Sequence, residues 1–84
     1  MKQKKPFLYT LSTCMHCKAT KRFLKEHNIK FDYVDVDKLE GKEKQDVISE
    51  MMKISGSSRF PTIVVGDTVI VGFYEDKLRE ALGL

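Results

Sequence analysis

The chain has 84 residues, of which 42% are hydrophobic and 32% charged, and its formal net charge is +3 at pH 7. These values are typical of one small globular domain, which we expect to cover residues 1–84. The longest uncharged apolar stretches, residues 60–66 and 69–74, are far too short to cross a bilayer, and no apolar signal segment follows the N-terminal charges. We expect a cytosolic protein that does not enter a membrane, and we expect it to be a monomer.

The N-terminal charges form a small basic cluster of Lys2, Lys4 and Lys5. We interpret residues 1–5 as a solvated tail that supports solubility. A nucleic-acid-binding arm would need a basic stripe with interleaved aromatic residues, and no such stripe follows the cluster. The sequence therefore predicts no nucleic-acid partner.

The first predicted unit is a strand, a helix and a second strand. Residues 7–11 are aromatic and apolar, like a buried strand, and residues 15–27 have apolar side chains at helical spacing. Asn28 marks the predicted end of this helix, and residues 31–37 form the second strand. A strand, a helix and a strand of these lengths form a βαβ unit, so we expect the two strands to be parallel.

The second strand carries three carboxylates, Asp32, Asp35 and Asp37. Together they resemble a cluster that could bind a hard cation. We expect strand alternation to put all three on one face, where they are solvated and form no metal site.

A second helix is predicted to begin at Gly41 and to end near the breaker residues 55–58. Its apolar side chains are expected on one side of the helix, facing the core; they are Val47, Ile48, Met51, Met52 and Ile54. The adjacent methionines could also suggest a metal or partner surface, but core packing is the commoner role at this spacing.

The remaining residues predict a hairpin and a last helix. Pro61 cannot donate to a sheet ladder, so it should lie just before a strand over residues 62–65. A glycine–aspartate turn joins this strand to one over residues 68–71, which predicts an antiparallel hairpin. A helix from about Glu75 completes the order β-α-β-α-β-β-α. This order predicts an α/β fold in which a four-stranded mixed sheet carries three helices on its faces.

Both cysteines of the chain lie in one C-x-x-C motif, Cys14 and Cys17, between the first strand and the first helix. Ser12 and Thr13 are helix-entry residues, so Cys14 should lie at the helix N-terminus and Cys17 one turn inside. Unpaired N–H groups and the helix dipole favour negative charge there, and thiols at such sites have pKa values of about 3.5 to 7.5 in place of about 8.5. The thiolate is the nucleophile of disulfide exchange. We predict that Cys14 attacks a disulfide and that Cys17 resolves the mixed disulfide, without a cofactor.

His16 stands between the two cysteines. A protonated imidazole beside Cys14 would stabilise the thiolate and make the disulfide a stronger oxidant. The alternative is an exposed spacer with little effect. We favour the tuning role as a prediction.

From Phe7 to Leu84, the chain resembles the glutaredoxin family of the thioredoxin-like superfamily. The likeness consists of four features in order: Tyr9-Thr10 with the C-x-x-C motif, the strand over residues 31–37, Pro61 after a Gly/Ser turn, and Gly72-Phe73 before the last helix. Residues 59–76 are similar to the small glutaredoxin-like redoxins, which include electron donors of ribonucleotide reductase. The resemblance implies a thioredoxin-like fold and thiol–disulfide oxidoreductase activity on protein or low-molecular-weight disulfides.

The resemblance also implies a substrate groove beside the cysteines. It implies that Pro61 is cis and packs against the cysteine pair, and that the backbone of Phe60 pairs with the substrate. Asp76 would hold a substrate amine, and Phe60 and Tyr74 should be partly exposed. The full implied set of substrate-binding residues is Met15, His16, Arg59, Phe60, Pro61, Gly72, Phe73, Tyr74 and Asp76.

Four positions depart from the pattern of typical glutaredoxins. The family has Pro-Tyr between the cysteines, where this chain has Met15 and His16. It has a glutathione-binding lysine where this chain has Leu11, and often a second glycine where this chain has Phe73. The implied reductant is either a flavin-dependent disulfide reductase or glutathione, held by substitute cations such as Arg59, Lys18 or Lys5.

Two other functions use the same motif. The first is metal binding, for which the possible ligands are Cys14, Cys17, His16 and His27; a helical His16 would point elsewhere and no second C-x-x-C follows. The better form of this alternative is an iron–sulfur cluster shared by two chains with bound glutathione, as the resemblance implies. The second is a partner-binding module in which the cysteine pair is buried and inert.

Overall fold

The computed structural model describes residues 5–84. The elements follow one another in the predicted order, with one added turn of 3-10 helix. Their bounds are β1 (Phe7–Thr10), α1 (Met15–Glu26), β2 (Asp32–Asp35), the 3-10 turn (Val36–Lys38), α2 (Gly41–Ser55), β3 (Thr62–Val65), β4 (Thr68–Val71) and α3 (Glu75–Leu82).

The strands form one sheet in the order β2-β1-β3-β4. β1 and β2 run parallel, whereas β3 is antiparallel to both β1 and β4. The predicted mixed sheet, parallel first pair and hairpin are therefore confirmed. Because β1 and β2 are parallel, their carboxyl ends meet at one edge of the sheet, and the C-x-x-C turn begins at this edge.

The sheet is covered by helices on both faces. On one face, Leu8, Ile63 and Ile70 are register partners across three strands. They form the main core with residues of α1 and α3: Phe23, Leu24, Leu78 and Leu82. Neighbouring side chains of a strand point to opposite faces. Tyr9 therefore lies on the other face, where its hydroxyl donates to Glu50 of α2 at 2.8 Å.

The second strand is shorter than predicted. β2 ends at Asp35, and the chain continues into the 3-10 turn, whose first residue, Val36, is buried. The turn ends the alternation of side chains between the two sheet faces. Strand geometry therefore cannot place Asp35 and Asp37 on one face, and the prediction of a strand through Asp37 is wrong.

The second helix has the predicted bounds but a narrower buried stripe. Met51 is buried as expected, whereas Met52 and Ile54 are 48% and 42% exposed, so their predicted core role is wrong. The positions that are at least partly buried recur at helical spacing and are Lys44, Val47, Ile48, Met51 and Ser55. Met52 and Ile54 lie at the two borders of this stripe.

Two expectations concern the chain terminus and the membrane. Residues 1–4, with Lys2 and Lys4, lie outside the described residues. Lys5 is exposed and forms an ion pair with Asp32 at 3.3 Å. From residue 5 to residue 84, no helix combines the length and the apolar character needed to span a bilayer.

Candidate functional site at Cys14 and Cys17

Cys14 caps the N-terminus of α1 with its sulfur. The residue has extended backbone angles, and its Sγ accepts the backbone N–H of Cys17 at 3.2 Å. Its own N–H donates to the carbonyl of Leu11 at 3.1 Å, which closes the turn between β1 and α1. Oxygen-bearing side chains usually occupy this capping position. Here a thiol occupies it, so the amide dipoles of the first helical turn act directly on a sulfur atom.

The two cysteines have different surroundings. Both are free thiols; Cys14 is half-buried, whereas Cys17 is 0% exposed. Burial raises the pKa of Cys17 to about 12, and its hydrogen bond with Cys14 acts in the same direction, while a backbone bond with Leu11 and the charge of Lys21 oppose the rise. Cys17 is therefore protonated at neutral pH, and Cys14 is the accessible sulfur of the pair.

A groove of about 260 Å³ adjoins the first turn of α1. Its lining residues are His16, Arg59, Phe60, Val71, Gly72, Phe73 and Tyr74. All but Val71 belong to the predicted substrate-binding set, and Phe60 and Tyr74 are partly exposed as expected. Val71 has no sequence signal of its own, because only the register of the hairpin, where it pairs with Thr62, brings it to this edge.

Three predicted groove residues do not line the groove. Met15 is 82% exposed, Asp76 is exposed, and Pro61 is buried. The bond between Phe60 and Pro61 is cis, as the resemblance implies. The roles of Met15, Asp76 and Pro61 toward a substrate, and that of His16 in tuning the thiolate, remain predictions.

Gly72 joins the two walls of the groove. Its N–H donates to the carbonyl oxygen of Pro61 at 2.7 Å. Its φ of 98° lies in the region that favours glycine, and a Cβ at this position would lie 2.9 Å from Cε2 of Tyr74. Any larger residue would displace the Tyr74 ring, so glycine is required for the observed shape of the groove.

A charged network that was not predicted from the sequence lies at the sheet edge where β1 and β2 end. Asp35 accepts a hydrogen bond from Oγ1 of Thr10 at 2.6 Å and lies 3.2 Å from Nζ of Lys21. The side chain of Asp35 is only 15% exposed, so its predicted solvated state is wrong. The Thr10 bond and the Lys21 charge hold the pKa of Asp35 below its usual range against the effect of burial. Lys21 lies one turn beyond Cys17 on α1 and thus links the network to the buried thiol.

The other two carboxylates have separate partners. Asp37 accepts hydrogen bonds from the hydroxyl and the backbone N–H of Ser12, the latter at 2.9 Å, and these bonds lower its pKa. Asp32 pairs with Lys5 instead. The three carboxylates therefore form no cluster, and Asp37 holds the turn that precedes Cys14.

The possible metal ligands do not converge in the part of the chain that the structure describes. Nδ1 of His27 lies 2.9 Å from the carbonyl of Phe23, and its ring packs on the Phe23 ring. No group of three or more His, Cys, Asp or Glu side chains within residues 5–84 is placed to hold a metal ion.

The sequence is similar to known proteins over most of its length. The glutaredoxin family model matches residues 7–70. A glutaredoxin-like 8.6 kDa protein in the rubredoxin operon of Clostridium pasteurianum is 38% identical over 76 residues, which cover 87% of this chain and 95% of the relative.

Solved structures extend the likeness to the fold. Methanoredoxin of Methanosarcina acetivorans is 44% identical with a TM-score of 0.89, over 96% of this chain and 86% of that chain. NrdH-redoxin of Escherichia coli, a glutaredoxin-like protein with a thioredoxin-like activity profile, is 25% identical with a TM-score of 0.73, over 90% and 92% of the two chains. The predicted thioredoxin-like fold and the resemblance to small glutaredoxin-like redoxins are confirmed.

Proposed function

The chain belongs to the glutaredoxin family, and from this premise we propose that it is a dithiol–disulfide oxidoreductase that reduces protein or low-molecular-weight disulfides. The observation that carries the proposal is the contrast between the two cysteines. Cys14 is partly exposed and its Sγ accepts a helix N–H, whereas Cys17 is buried and protonated one turn away. This difference in exposure and protonation suits Cys14 to attack the substrate disulfide and Cys17 to resolve the mixed disulfide.

The first step is attack by the Cys14 thiolate on a substrate disulfide. A bond forms between Cys14 Sγ and one substrate sulfur while the substrate S–S bond breaks. The departing substrate sulfur leaves as a thiolate and takes up a proton. The product is a mixed disulfide between Cys14 and the substrate, and Cys17 remains a thiol during this step because of its raised pKa.

The second step is attack by Cys17 on the mixed disulfide. Cys17 loses its proton, its sulfur bonds to Cys14 Sγ, and the second substrate sulfur leaves as a thiolate that is then protonated. Once Cys14 is covalently bound, its negative charge no longer opposes ionisation of Cys17, whereas Lys21 still favours it. The substrate has gained two electrons and two protons, and the protein holds a disulfide between Cys14 and Cys17.

An external reductant must then restore both thiols. Leu11 occupies the position of the glutathione-binding lysine, and NrdH-redoxin has a thioredoxin-like activity profile. Both points favour a flavin-dependent disulfide reductase over glutathione. A coupled assay that offers thioredoxin reductase in parallel with glutathione and its reductase tests this choice: faster recycling by glutathione would reverse it.

The experiment that tests the proposed reaction compares two cysteine variants with one neighbouring control. Cys14→Ser should abolish disulfide reduction, and Cys17→Ser should accumulate a mixed disulfide on Cys14 that mass spectrometry detects. Thr13→Ser, an exposed change in the same turn, should keep the activity. Full activity of Cys14→Ser on both protein and small disulfides would contradict the proposal.

A further inference from the structure

Among the three α-helices, positive charge is concentrated on α1, the helix that follows the cysteines. α1 carries Lys18, Lys21, Arg22 and Lys25 against the single acid Glu26. α2 carries three cations and three acids, and α3 two cations and three acids. The net charge of α1 is therefore +3, the same as the formal net charge of the whole chain.

The four cations of α1 form a continuous surface, the basic face. Lys18 precedes Lys21 and Arg22 by three and four residues, and Lys25 follows them by four and three, which places all four side by side on the helix. Together with Glu26 they line an open depression of about 470 Å³. Lys21 is paired with Asp35, whereas Lys18, Arg22 and Lys25 form no ion pair with any residue from 5 to 84.

Of the four cations, only Lys25, in the last turn, is placed to stabilise the helix through its dipole. Like charges at three- and four-residue spacing repel one another. Lys18 lies in the N-terminal half of α1, whose first turn holds no acid, so its charge opposes the helix dipole. Arg22 and Lys25 lie about two and three turns beyond Cys14. Helix stability therefore does not explain why these cations are clustered on α1.

The distances suit contact with a partner protein. At 1.5 Å of rise per residue, Arg22 lies about 12 Å and Lys25 about 17 Å along the helix from Cys14. A standard protein interface covers about 800 Å² per partner, a patch with a radius of about 16 Å. A protein whose disulfide reaches Cys14 would therefore also contact the basic face, with Arg22 inside the patch and Lys25 at its rim, whereas a small disulfide would not.

We infer that the basic face of α1 is a docking surface for protein partners that carry acidic side chains beside their disulfide. This inference rests on the proposed function and adds the class of partner. Unpaired cations along the helix that begins at Cys14 would steer such partners and orient their disulfide toward its sulfur. A single-stranded nucleic acid fits less well, because Lys21 Nζ lies 3.8 Å from the centre of the Tyr33 ring beside the face and so occupies one of the two ring faces on which a base could stack.

The test uses two 12-residue peptides, each with a central disulfide, whose flanking positions are aspartate in one and asparagine in the other. The six residues on either side of the centre extend for about 20 Å, enough to reach Lys25. Stopped-flow experiments follow the oxidation of fully reduced protein, in which the two protein thiols become a disulfide and the peptide disulfide becomes two thiols. Hydroxyethyl disulfide is the probe that is too small to reach the face.

The variants are Arg22→Glu/Lys25→Glu on the basic face and Lys42→Glu/Lys53→Glu on α2. All four positions are exposed, and the two variants change the net charge equally. Wild type should react roughly tenfold faster with the aspartate peptide at low salt, and the advantage should shrink as salt rises. The basic-face variant should lose this advantage, the α2 variant should keep most of it, and hydroxyethyl disulfide should react equally with all three proteins.

Three results would overturn the inference. The first is an equal loss in both variants, which would assign the effect to net charge alone. The second is an advantage that survives in Arg22→Glu/Lys25→Glu. The third is binding of a single-stranded oligonucleotide that depends on Arg22 and Lys25, without any preference between the peptides. Wild type that reacts with no disulfide would instead contradict the proposed function, so the two failures are distinguishable.

Discussion

The two longest helices of the molecule, α1 and α2, begin in different ways. α2 starts after Glu40, which makes no side-chain capping bond, and it has an acid, Glu43, in its first turn. α1 starts after Cys14, whose sulfur accepts a helix N–H, and it has no acid in its first turn. An acid in the first turn is the common way to stabilise a helix. Its absence from α1 leaves the positive helix end to the sulfur of Cys14.

The same helices are also tied to the sheet by different polar contacts. Lys21 of α1 pairs with Asp35 of β2, and both side chains are largely buried. Glu50 of α2 accepts a hydrogen bond from the hydroxyl of Tyr9 in β1. The first contact joins two charges at the edge that carries the cysteines, whereas the second joins a neutral donor to an exposed carboxylate. The α1 contact should therefore matter more for stability and for the site.

The substitution Asp35→Asn breaks the contact between α1 and β2, and it should have the largest effect on stability. The change leaves the Lys21 ammonium largely buried without a counter-charge, and it should lower the free energy of unfolding by about 1–3 kcal/mol. Urea denaturation at pH 7 measures this loss. Asp32→Asn is the matched control on the same strand: it removes an exposed pair with Lys5 and should cost less than about 0.5 kcal/mol. Equal losses in the two variants would contradict the distinction.

The loss in Asp35→Asn should depend on pH. The pKa of Asp35 is lowered in the folded protein, so its contribution is fully present above the unfolded value of about 3.9 and disappears as pH falls through the folded value. The difference in stability between wild type and Asp35→Asn should therefore shrink on acidification. A difference that is as large at pH 2.5 as at pH 7 would show that the carboxylate charge is not its origin.

The substitution Tyr9→Phe breaks the contact between α2 and β1, and it should have a smaller effect on stability. This variant keeps the ring and loses one hydrogen bond, so the free energy of unfolding should fall by about 1 kcal/mol. The pKa of Tyr9 is raised to about 12, first by burial and then by Glu50, from an ordinary value of 10.0. Its contribution is fully present below pH 10 and lost as pH rises toward 12. Wild type should therefore lose more stability than Tyr9→Phe over this range in alkaline denaturation.

The smallest effect tests the helix ends directly. Met15→Glu gives the exposed first residue of α1 an acid, as in the first turn of α2. The helix dipole should then stabilise the fold by about 0.3–1 kcal/mol, while repulsion of the Cys14 thiolate should slow its alkylation roughly two- to fivefold. Met15→Gln, with the same size and no charge, should change neither quantity. Faster alkylation in Met15→Glu would contradict this view of the α1 terminus.

Much of the fold could be predicted because local signals agree with it. Pro61 before β3, the glycine–aspartate turn and the spacing of Phe23 and Leu24 each act over a few residues. Met52 and Ile54 were misplaced because hydrophobicity predicts a face but not its width. α2 buries only a narrow stripe, so its borders remain exposed.

Less of the candidate site could be predicted from the sequence. The C-x-x-C motif gave the cysteines, and the family resemblance gave most of the groove. The Thr10–Asp35–Lys21 network was missed because its members come from three elements that meet only when β1 and β2 pair in register. Residues 31–37 predicted one regular strand, and the 3-10 turn that separates Asp35 from Asp37 has no clear sequence signal.

The central claim is that Cys14 attacks while Cys17 stays protonated and buried. Limited alkylation of the fully reduced protein with iodoacetamide between pH 6 and pH 8, followed by peptide mapping, tests it most directly. The predicted result is rapid modification of Cys14 and negligible modification of Cys17, because its pKa of about 12 and its burial both protect it. Modification of Cys17 at the same rate as Cys14, or before it, would contradict the claim.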